Sequence, residues 1–437
     1  MDIKRVELKN IPDLRKLSYL TSLRKNRILF FSSGLDSSHG RYSIVVMNPL
    51  GLIKDNVVDK IFNFDETAEI EFPLPVFSGF FSYEFMNGFR NELTPEGIEI
   101  PDHFFICSDS FLVVDNFKNR AELVAIDADF SKTSMDERIE EFLKEIDLSV
   151  PKPEINDESI RADALISKKK YLDSIDEIRR LIGEGDVYQV NFTYPVKIRT
   201  ELISWVLFYR YLSKNYVDYA VYINAADFEV LSISPECLLK FENFNKISSF
   251  PIKGTIKKVD DEAENLRLRN ELEESQKDRA ELAMIVDLVR NDIGKIAEPG
   301  SVKVDFHAQV MEFPTLFHLF SSVTGTINKD QRAELFRSIF PGGSITGAPK
   351  ESAMRIIGEL EKYRRNIYTG AIGFCGLNGK AVFNIPIRTI QRVGDTLIYS
   401  TGGGITWKSD PKMEFEETLV KLKAFLNIFE DAEIIFE

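Results

Sequence analysis

The chain has 437 residues, 44% hydrophobic and 28% charged, a globular composition in which no apolar run approaches the ~18 residues of a membrane span. A formal charge of −14, from 55 Lys and Arg against 69 Asp and Glu, without any compensating basic stripe, excludes a nucleic-acid surface. Cys107, Cys237 and Cys375 are too scattered for a disulfide framework or a C-x-x-C site, and Met1-Asp-Ile-Lys-Arg5 opens no apolar signal core, so a cytoplasmic location is expected.

Residues 1 to about 130 read mostly as strands, with β-branched or aromatic runs at Ile28–Phe31, Tyr42–Val46, Val76–Tyr83 and Phe104–Val114. A helical pattern then ends near Ile146, and the polar, Pro-containing stretch Ser149–Ser159 is the best linker. This divides a strand-rich region, 1–150, from a second region, 160–430. Tyr171, Ile175, Ile178 and Ile182 recur at helical spacing, with Ser167 as cap and Gly183 or Gly185 as stop. Next, Val190, Phe192, Tyr194 and Val196 alternate with Gln189, Asn191 and Thr193, which predicts a strand with one polar face. Helices are predicted over Gln276–Asn291, Lys350–Lys362 and Glu414–Ile428, and strands over Lys380–Arg392 and Thr396–Thr401. There is no regular βαβ beat and no internal repeat, so a large α+β domain is the plain expectation.

Two of these helices place acids among apolar residues. At 100° per residue, Glu281 falls between Met284 and Leu288 on one side and Ile285 and Val289 on the other, with Asp278 three residues before it. Glu417 stands near Val420, Ala424 and Ile428, with Glu414 at i−3 and Lys421 at i+4. A carboxylate so placed needs a cation or a proton. Acid-x-x-Glu occurring twice suits a hard ion such as Mg²⁺ held from two helices. For either helix alone, a solvated charged face or a Glu417/Lys421 pair describes the pattern as well.

Pro341–Lys350 runs toward a helix with Pro349 at a first helical position, where backbone N–H groups could face an anion, but Ala348-Pro349 stand where a P-loop needs Lys then Ser or Thr. Gly402-Gly-Gly404 follows a strand and suits either a turn or a place where backbone amides meet a carboxylate; Trp407 breaks a dinucleotide fingerprint. His39, His103, His307 and His318 lack metal-ligand spacing, and Ser344 lies in no nucleophile elbow.

Taken in order, Gly185-Asp-Val-Tyr-Gln-Val-Asn191, Ser234-Pro-Glu236, Pro251-Ile-Lys-Gly-Thr255, Met284-Ile-Val-Asp-Leu-Val-Arg-Asn-Asp292, Pro341–Lys350, Ile385-Pro-Ile-Arg-Thr389 and Gly402-Gly-Gly-Ile405 resemble the chorismate-utilising enzyme family. The motifs cover about residues 165 to 425. The N-terminal part resembles the family more weakly, through Gly40-Arg-Tyr-Ser43, Gly79-Phe-Phe-Ser-Tyr83 and Pro101–Asp115, and Phe30–Gly34 only loosely matches the family's tryptophan-pocket segment. The resemblance implies an α+β unit of two large antiparallel sheets packed face to face with helices outside, intertwined rather than split into independent domains.

It also implies the chemistry. Glu281 and Glu417 would hold Mg²⁺, assisted by Asp278 and Glu414 through water. Arg388, Lys421, Tyr368 and the amides of Gly403 and Gly404 would take the two carboxylates of chorismate, with Gly254 and Thr255 lining the ring. Glu236 matches the family's acid for the departing hydroxyl, and His318 a histidine beside the ring. Where isochorismate and salicylate synthases carry a water-activating lysine, this chain has Gln189, which disfavours water addition. Lys253 matches the aminodeoxychorismate branch, in which a lysine displaces the 4-hydroxyl and ammonia then displaces the lysine; anthranilate synthases usually have alanine there. Ile256-Lys-Lys258 departs from a common Pro-Arg ending. Ammonia would come from a glutamine amidotransferase subunit, since no cysteine here has a glutaminase context, and a separate pyridoxal-phosphate lyase would release pyruvate. An anthranilate synthase large subunit and a non-catalytic chorismate-binding scaffold are the competing readings.

Overall fold

Alternating polar and apolar residues give a strand two unlike faces, and the segment around Phe192 shows what each face meets. A computed structural model describes residues 2–437 apart from 33–39, 64–71, 90, 129–130, 153–158, 216 and 314–315. In it the strand runs Gln189–Arg199, buried on both faces from Gln189 to Tyr194. Its apolar side packs on helices: Tyr171, from the helix Lys168–Glu184, lies 5.5 Å from Phe192, 5.6 Å from Tyr194 and 5.6 Å from Phe415 of the helix Pro411–Leu426. Ser167 caps the first helix by accepting Lys170 N–H, and Gly185 ends it at φ 91°, a conformation that favours glycine.

Among the described residues, to which the following counts and pairings refer, the strands form two sheets. The first has 13 strands; its central run places 27–31, 219–224, 229–234, 389–393, 396–406, 189–199 and 159–164 side by side. The second has 10, in which 252–257, 316–326, 246–250, 237–241, 381–384, 371–375, 77–81 and 103–108 are neighbours. All pairings are antiparallel except that of 431–436 with 159–164. Strands from before residue 150 pair directly with later ones in both sheets, 27–31 with 219–224 and 77–81 with 371–375. The sheets pack face to face through residues such as Phe30 and Phe374, whose rings meet edge-on at 5.1 Å, and through Asn384, whose amide donates to Tyr219 O at 2.8 Å. The α+β expectation of two stacked antiparallel sheets with outer helices therefore holds.

Two stretches read as single strands are each two strands in different sheets. Lys380–Arg392 divides into Ala381–Asn384 and Thr389–Val393, because Pro386 removes a ladder donor and the chain crosses from one sheet to the other. Phe104–Val114 divides at Asp109, a buried carboxylate paired with Arg138 at 2.5 Å. Part of the expected linker, residues 153–158, and part of Phe30–Gly34 lie outside the described residues. No helix among the described residues is long and apolar enough to cross a membrane.

Candidate active site

The crossings between the sheets place two of the expected residues. Glu236 lies between the strands 229–234 and 237–241, and Arg388 between 381–384 and 389–393. The corners are tied together: Ser234 Oγ donates to Ile385 O at 2.6 Å, and Ile385 N to Glu236 O at 3.0 Å. Arg388 sits at φ 53°, where a non-glycine residue is uncommon. Tyr368 belongs to a loop that leans on this corner, since Thr369 N donates to Pro386 O at 3.0 Å. Burial raises the Glu236 carboxyl above its usual range, against the opposing pull of the Ser344 hydroxyl, Lys253 and the Ile252 backbone. A buried acid that holds its proton more tightly than usual is suited to donate it to a departing group.

Lys253 stands on the strand Ile252–Lys257, where the register against 316–326 slips between Lys253 and Thr255. Gly254, at φ 73°, makes that irregularity, and a Cβ there would stand 3.0 Å from Asp278 Cγ and 2.8 Å from Leu272 Cδ1. Glycine is thus required both for conformation and for the approach of the helix Gln276–Gly294. Lys253 is half-buried, and its charge is felt at Glu236, Glu281 and Glu417. His318 is buried, with Nδ1 2.8 Å from Thr255 Oγ1 and its ring edge-on to Phe313. Burial and then the Arg388 charge push its pKa down to about 3, so the ring is neutral near pH 7. It offers contact and hydrogen bonding, and no imidazolium.

The two acid-bearing helices face one cleft, though not as helical phase alone predicts. On Gln276–Gly294 the buried residues include Leu282, Ile285, Val286 and Val289, and Glu281 flanks them with its side chain 18% exposed. Asp278 is engaged by its helix cap, accepting from Ser275 Oγ at 2.5 Å. On Pro411–Leu426 the buried stripe is Glu414, Phe415, Thr418, Leu422, Phe425 and Leu426. Glu417 is placed by phase inside an apolar stripe, but it lies on the open side with 52% of its side chain exposed and Val420 exposed beside it. Of the residues that phase grouped with it, Val420 and Ala424 are exposed, and Ile428 is buried only beyond the end of the helix.

Burial raises Glu281, with Asp278 and Glu414 adding repulsion and Lys253 and Lys277 opposing it. Burial likewise raises Glu414, where Ser409 and the Lys277 and Lys421 charges oppose and Glu417 adds to the rise. Burial pulls Glu417 upward, but Lys421, 2.8 Å away, together with the charges of Lys277 and Lys253 leaves it below its usual range. The Glu417/Lys421 pair is therefore real, and Lys421 also donates to Gly402 O at 2.8 Å.

Gly402, Gly403 and Gly404 lie inside the strand Thr396–Thr406, not in a turn at its end, and face Thr193, Phe192 and Asn191 of 189–199. The strand 389–393 pairs with it only as far as Tyr399, which leaves that edge of the glycines to the cleft. A Cβ on Gly403 would come 3.3 Å from Glu414 Oε2, and one on Gly404 2.7 Å from Gln189 Nε2 and 3.7 Å from Lys253 Nζ. Gln189 is 0% exposed, and neither atom of its carboxamide has a hydrogen-bond partner among the described residues. An orphaned amide beside an amine is a place for a polar ligand. Pro341–Ala348 is buried; it passes through a turn at Gly343–Ile345 and a short strand pairing Gln189–Val190 before Pro349 caps the helix Lys350–Leu360. It therefore forms packed structure in place of exposed anion-binding N–H groups.

Lys253, Glu236, Gln189, Gly404, Glu281, Glu414 and Glu417 are thus linked by contact or mutual charge, while His318, Thr255 and Arg388 form an adjoining group. Tyr368 joins through Tyr399, which feels Arg388 and is in turn felt by Tyr368. Residues that the sequence reading missed are Ser344 at Glu236 and Lys277, whose only sequence signal is its place four residues before Glu281. Among the described residues no three Asp, Glu, His or Cys groups stand close enough to form a finished metal cage; three lysines are interleaved with the acids. A cavity of about 390 Å³ lined by Phe30, Arg41, Tyr42, Asp218, Lys240 and others shares no residue with this cleft.

A family model described as chorismate binding enzyme matches residues 36–427. Aminodeoxychorismate synthase component 1 of Salmonella typhimurium is 39% identical over 267 residues, which are 61% of this chain and 59% of that protein, so the matched stretch spans under two thirds of that relative. Anthranilate synthase component 1 of Saccharomyces cerevisiae is 30% identical over 433 residues, covering 92% of this chain and 85% of that one. Among solved structures, anthranilate synthase component I from Streptococcus pneumoniae superposes with a TM-score of 0.75 at 24% identity, over 97% of this chain and 92% of that one.

Proposed function

The chain belongs to the chorismate-binding enzyme family, and from that premise we propose that it is the chorismate-binding component of an aminodeoxychorismate synthase, replacing the 4-hydroxyl of chorismate with ammonia. The observation that carries the reading is Lys253: its amine faces Gly404 and the orphaned Gln189 amide, among three carboxyls that feel its charge. A lysine there and a glutamine at 189 favour a covalent amine intermediate over direct hydration.

In this reading the Arg388 guanidinium takes a carboxylate of chorismate, and the buried Tyr368 and the Gly403 and Gly404 edge bound the ring. With its ammonium proton first released to solvent, Lys253 Nζ attacks ring C2 to form a C–N bond, shifts the diene, and expels the C4 oxygen with the proton of Glu236 as water. Ammonia then forms a bond at C4, the double bonds shift back, and the lysine nitrogen leaves C2. Glu236 recovers a proton from the incoming ammonia, so each group ends as it began.

The donor set suits a hard divalent cation, because Glu281, Glu414 and Glu417 lie within reach of one another's charge across two facing helices and offer only oxygen. Glu281 and Glu417 would hold Mg²⁺, with Asp278 and Glu414 assisting through water. Once bound it would withdraw electrons from the ring carboxylate and compete with Lys253 for the same acids. Ammonia comes from a separate glutamine amidotransferase subunit, as the word component in the relatives' names suggests, and none of the three cysteines has a Gly-x-Cys-x-Gly context.

Purified chain given chorismate, ammonium and Mg²⁺ should form a 4-amino adduct that retains its enolpyruvyl group, and chelation should stop it. Anthranilate with free pyruvate would establish the anthranilate synthase reading instead, and tight chorismate binding with no product would establish a scaffold.

A further inference from the structure

Lys277 occupies the second position of the helix Gln276–Gly294, where the helix dipole disfavours a cation. Its placement needs a local reason, and the acids supply one. Its Nζ lies 4.0 Å from a Glu281 oxygen, at the outer edge of an ion pair and beyond hydrogen-bond reach, and its side chain is 66% exposed. Its charge also reaches Glu414 and Glu417 on the facing helix. The other two lysines of the cleft are held differently: Lys421 bonds both Glu417 and Gly402 O, and Lys253 is set on a strand and half-buried. Lys277 alone of the three combines a loose contact, exposure and a flexible stem.

We propose that Lys277 is an exchangeable counter-ion of the acidic cleft, spanning Glu281 and the acids of the facing helix while no metal is bound and swinging out when a divalent cation enters. The proposal rests on the metal reading given above. Two consequences follow from charge alone. Without metal, the ammonium offsets repulsion between Glu281 and the acids of the facing helix. An entering divalent cation must displace this ammonium from the acids, which weakens its binding, so the cleft holds the cation firmly only after the substrate's carboxylates arrive. Metal and substrate binding are thereby coupled through one side chain.

Mn²⁺ binding to the full chain, followed by electron paramagnetic resonance, tests this with wild type, Lys277→Gln and Lys277→Arg. The Gln variant should bind Mn²⁺ on the order of fivefold tighter, the size of a solvent-screened ion pair, and the Arg variant should match wild type. Metal-free Lys277→Gln should also melt at a lower temperature and gain more from Mg²⁺. Equal Mn²⁺ affinity in wild type and the Gln variant overturns the proposal. So does a raised chorismate KM with metal affinity unchanged, which would make Lys277 a substrate contact. Failure of every variant, wild type included, to bind Mn²⁺ would remove the metal reading and this proposal with it.

Discussion

Glu236 and Glu417 carry the same side chain in opposite regimes. Glu236 is buried at a chain crossing and raised by lost solvation, whereas Glu417 is half exposed and lowered by Lys421. The first is suited to give a proton and the second to hold charge. Replacing Glu236 with Gln should cut kcat for amination on the order of a hundredfold to ten-thousandfold with chorismate binding nearly intact, and Lys253→Ala should do the same if the amine is the nucleophile. Steady-state and binding measurements separate the two quantities; a raised KM with kcat unchanged would reduce either residue to a substrate contact. The types and order of these residues were legible through the motifs, but their protonation was not, because it depends on burial and on charges from distant parts of the chain. His318 shows the same limit: the resemblance placed it at the ring, and only its burial beside Arg388 shows that it stays neutral.

Three consecutive glycines in one strand do three different things. A Cβ on Gly402 would meet Phe192 O at 2.2 Å, a backbone atom that cannot yield, whereas one on Gly404 would meet the end of the Gln189 side chain. Gly402→Ala should therefore lower the melting temperature markedly, and Gly404→Ala should leave it nearly unchanged while impairing turnover, as thermal unfolding and kinetics on the same preparations will show. Equal melting temperatures for the two variants would contradict the assignment. Sequence pattern gave the helices it named, such as Gln276–Gly294 and Pro411–Leu426, to within a few residues, since their apolar spacing and caps are local, but it left Leu14–Ser22, Ser204–Ser213, Glu262–Glu274 and Arg332–Ile339 unread. It left the glycines open between a turn and a ligand-facing backbone at a strand end, because residues that permit close backbone approach and residues that permit turns are the same. It joined Ala381–Asn384 to Thr389–Val393 because strand propensity carries no record of which sheet a strand joins.

Across the whole molecule, the strand 77–81 leads into Glu84, a buried carboxyl accepting N–H groups of Arg365 and Asn366 at 2.8 and 3.1 Å. Burial raises it to about 7 from an ordinary 4.5, against the charge of Arg364 and those N–H groups. The folded state therefore holds this proton more tightly than the unfolded chain does. Its contribution to stability is complete below pH 4.5 and is lost as pH rises through 7, a change on the order of 3 kcal/mol. Glu84→Gln cannot titrate, so the difference in unfolding free energy between it and wild type should shift by that amount over this window, with wild type losing. A difference independent of pH would show that Glu84 titrates normally.

The amino-acid sequence by itself determined the family, the α+β class, the main helices and the identity of the residues around Lys253, because motif order, helical period and caps are written in neighbouring residues. Tertiary structure alone decided that Glu236 and Arg388 both lie where the chain crosses between sheets, that Gln189 is buried without a hydrogen-bond partner among the described residues, and that Lys277 reaches the acids of a second helix. Each of these depends on contacts between segments far apart in the chain, and one-dimensional periodicity holds no information about which segments pack together.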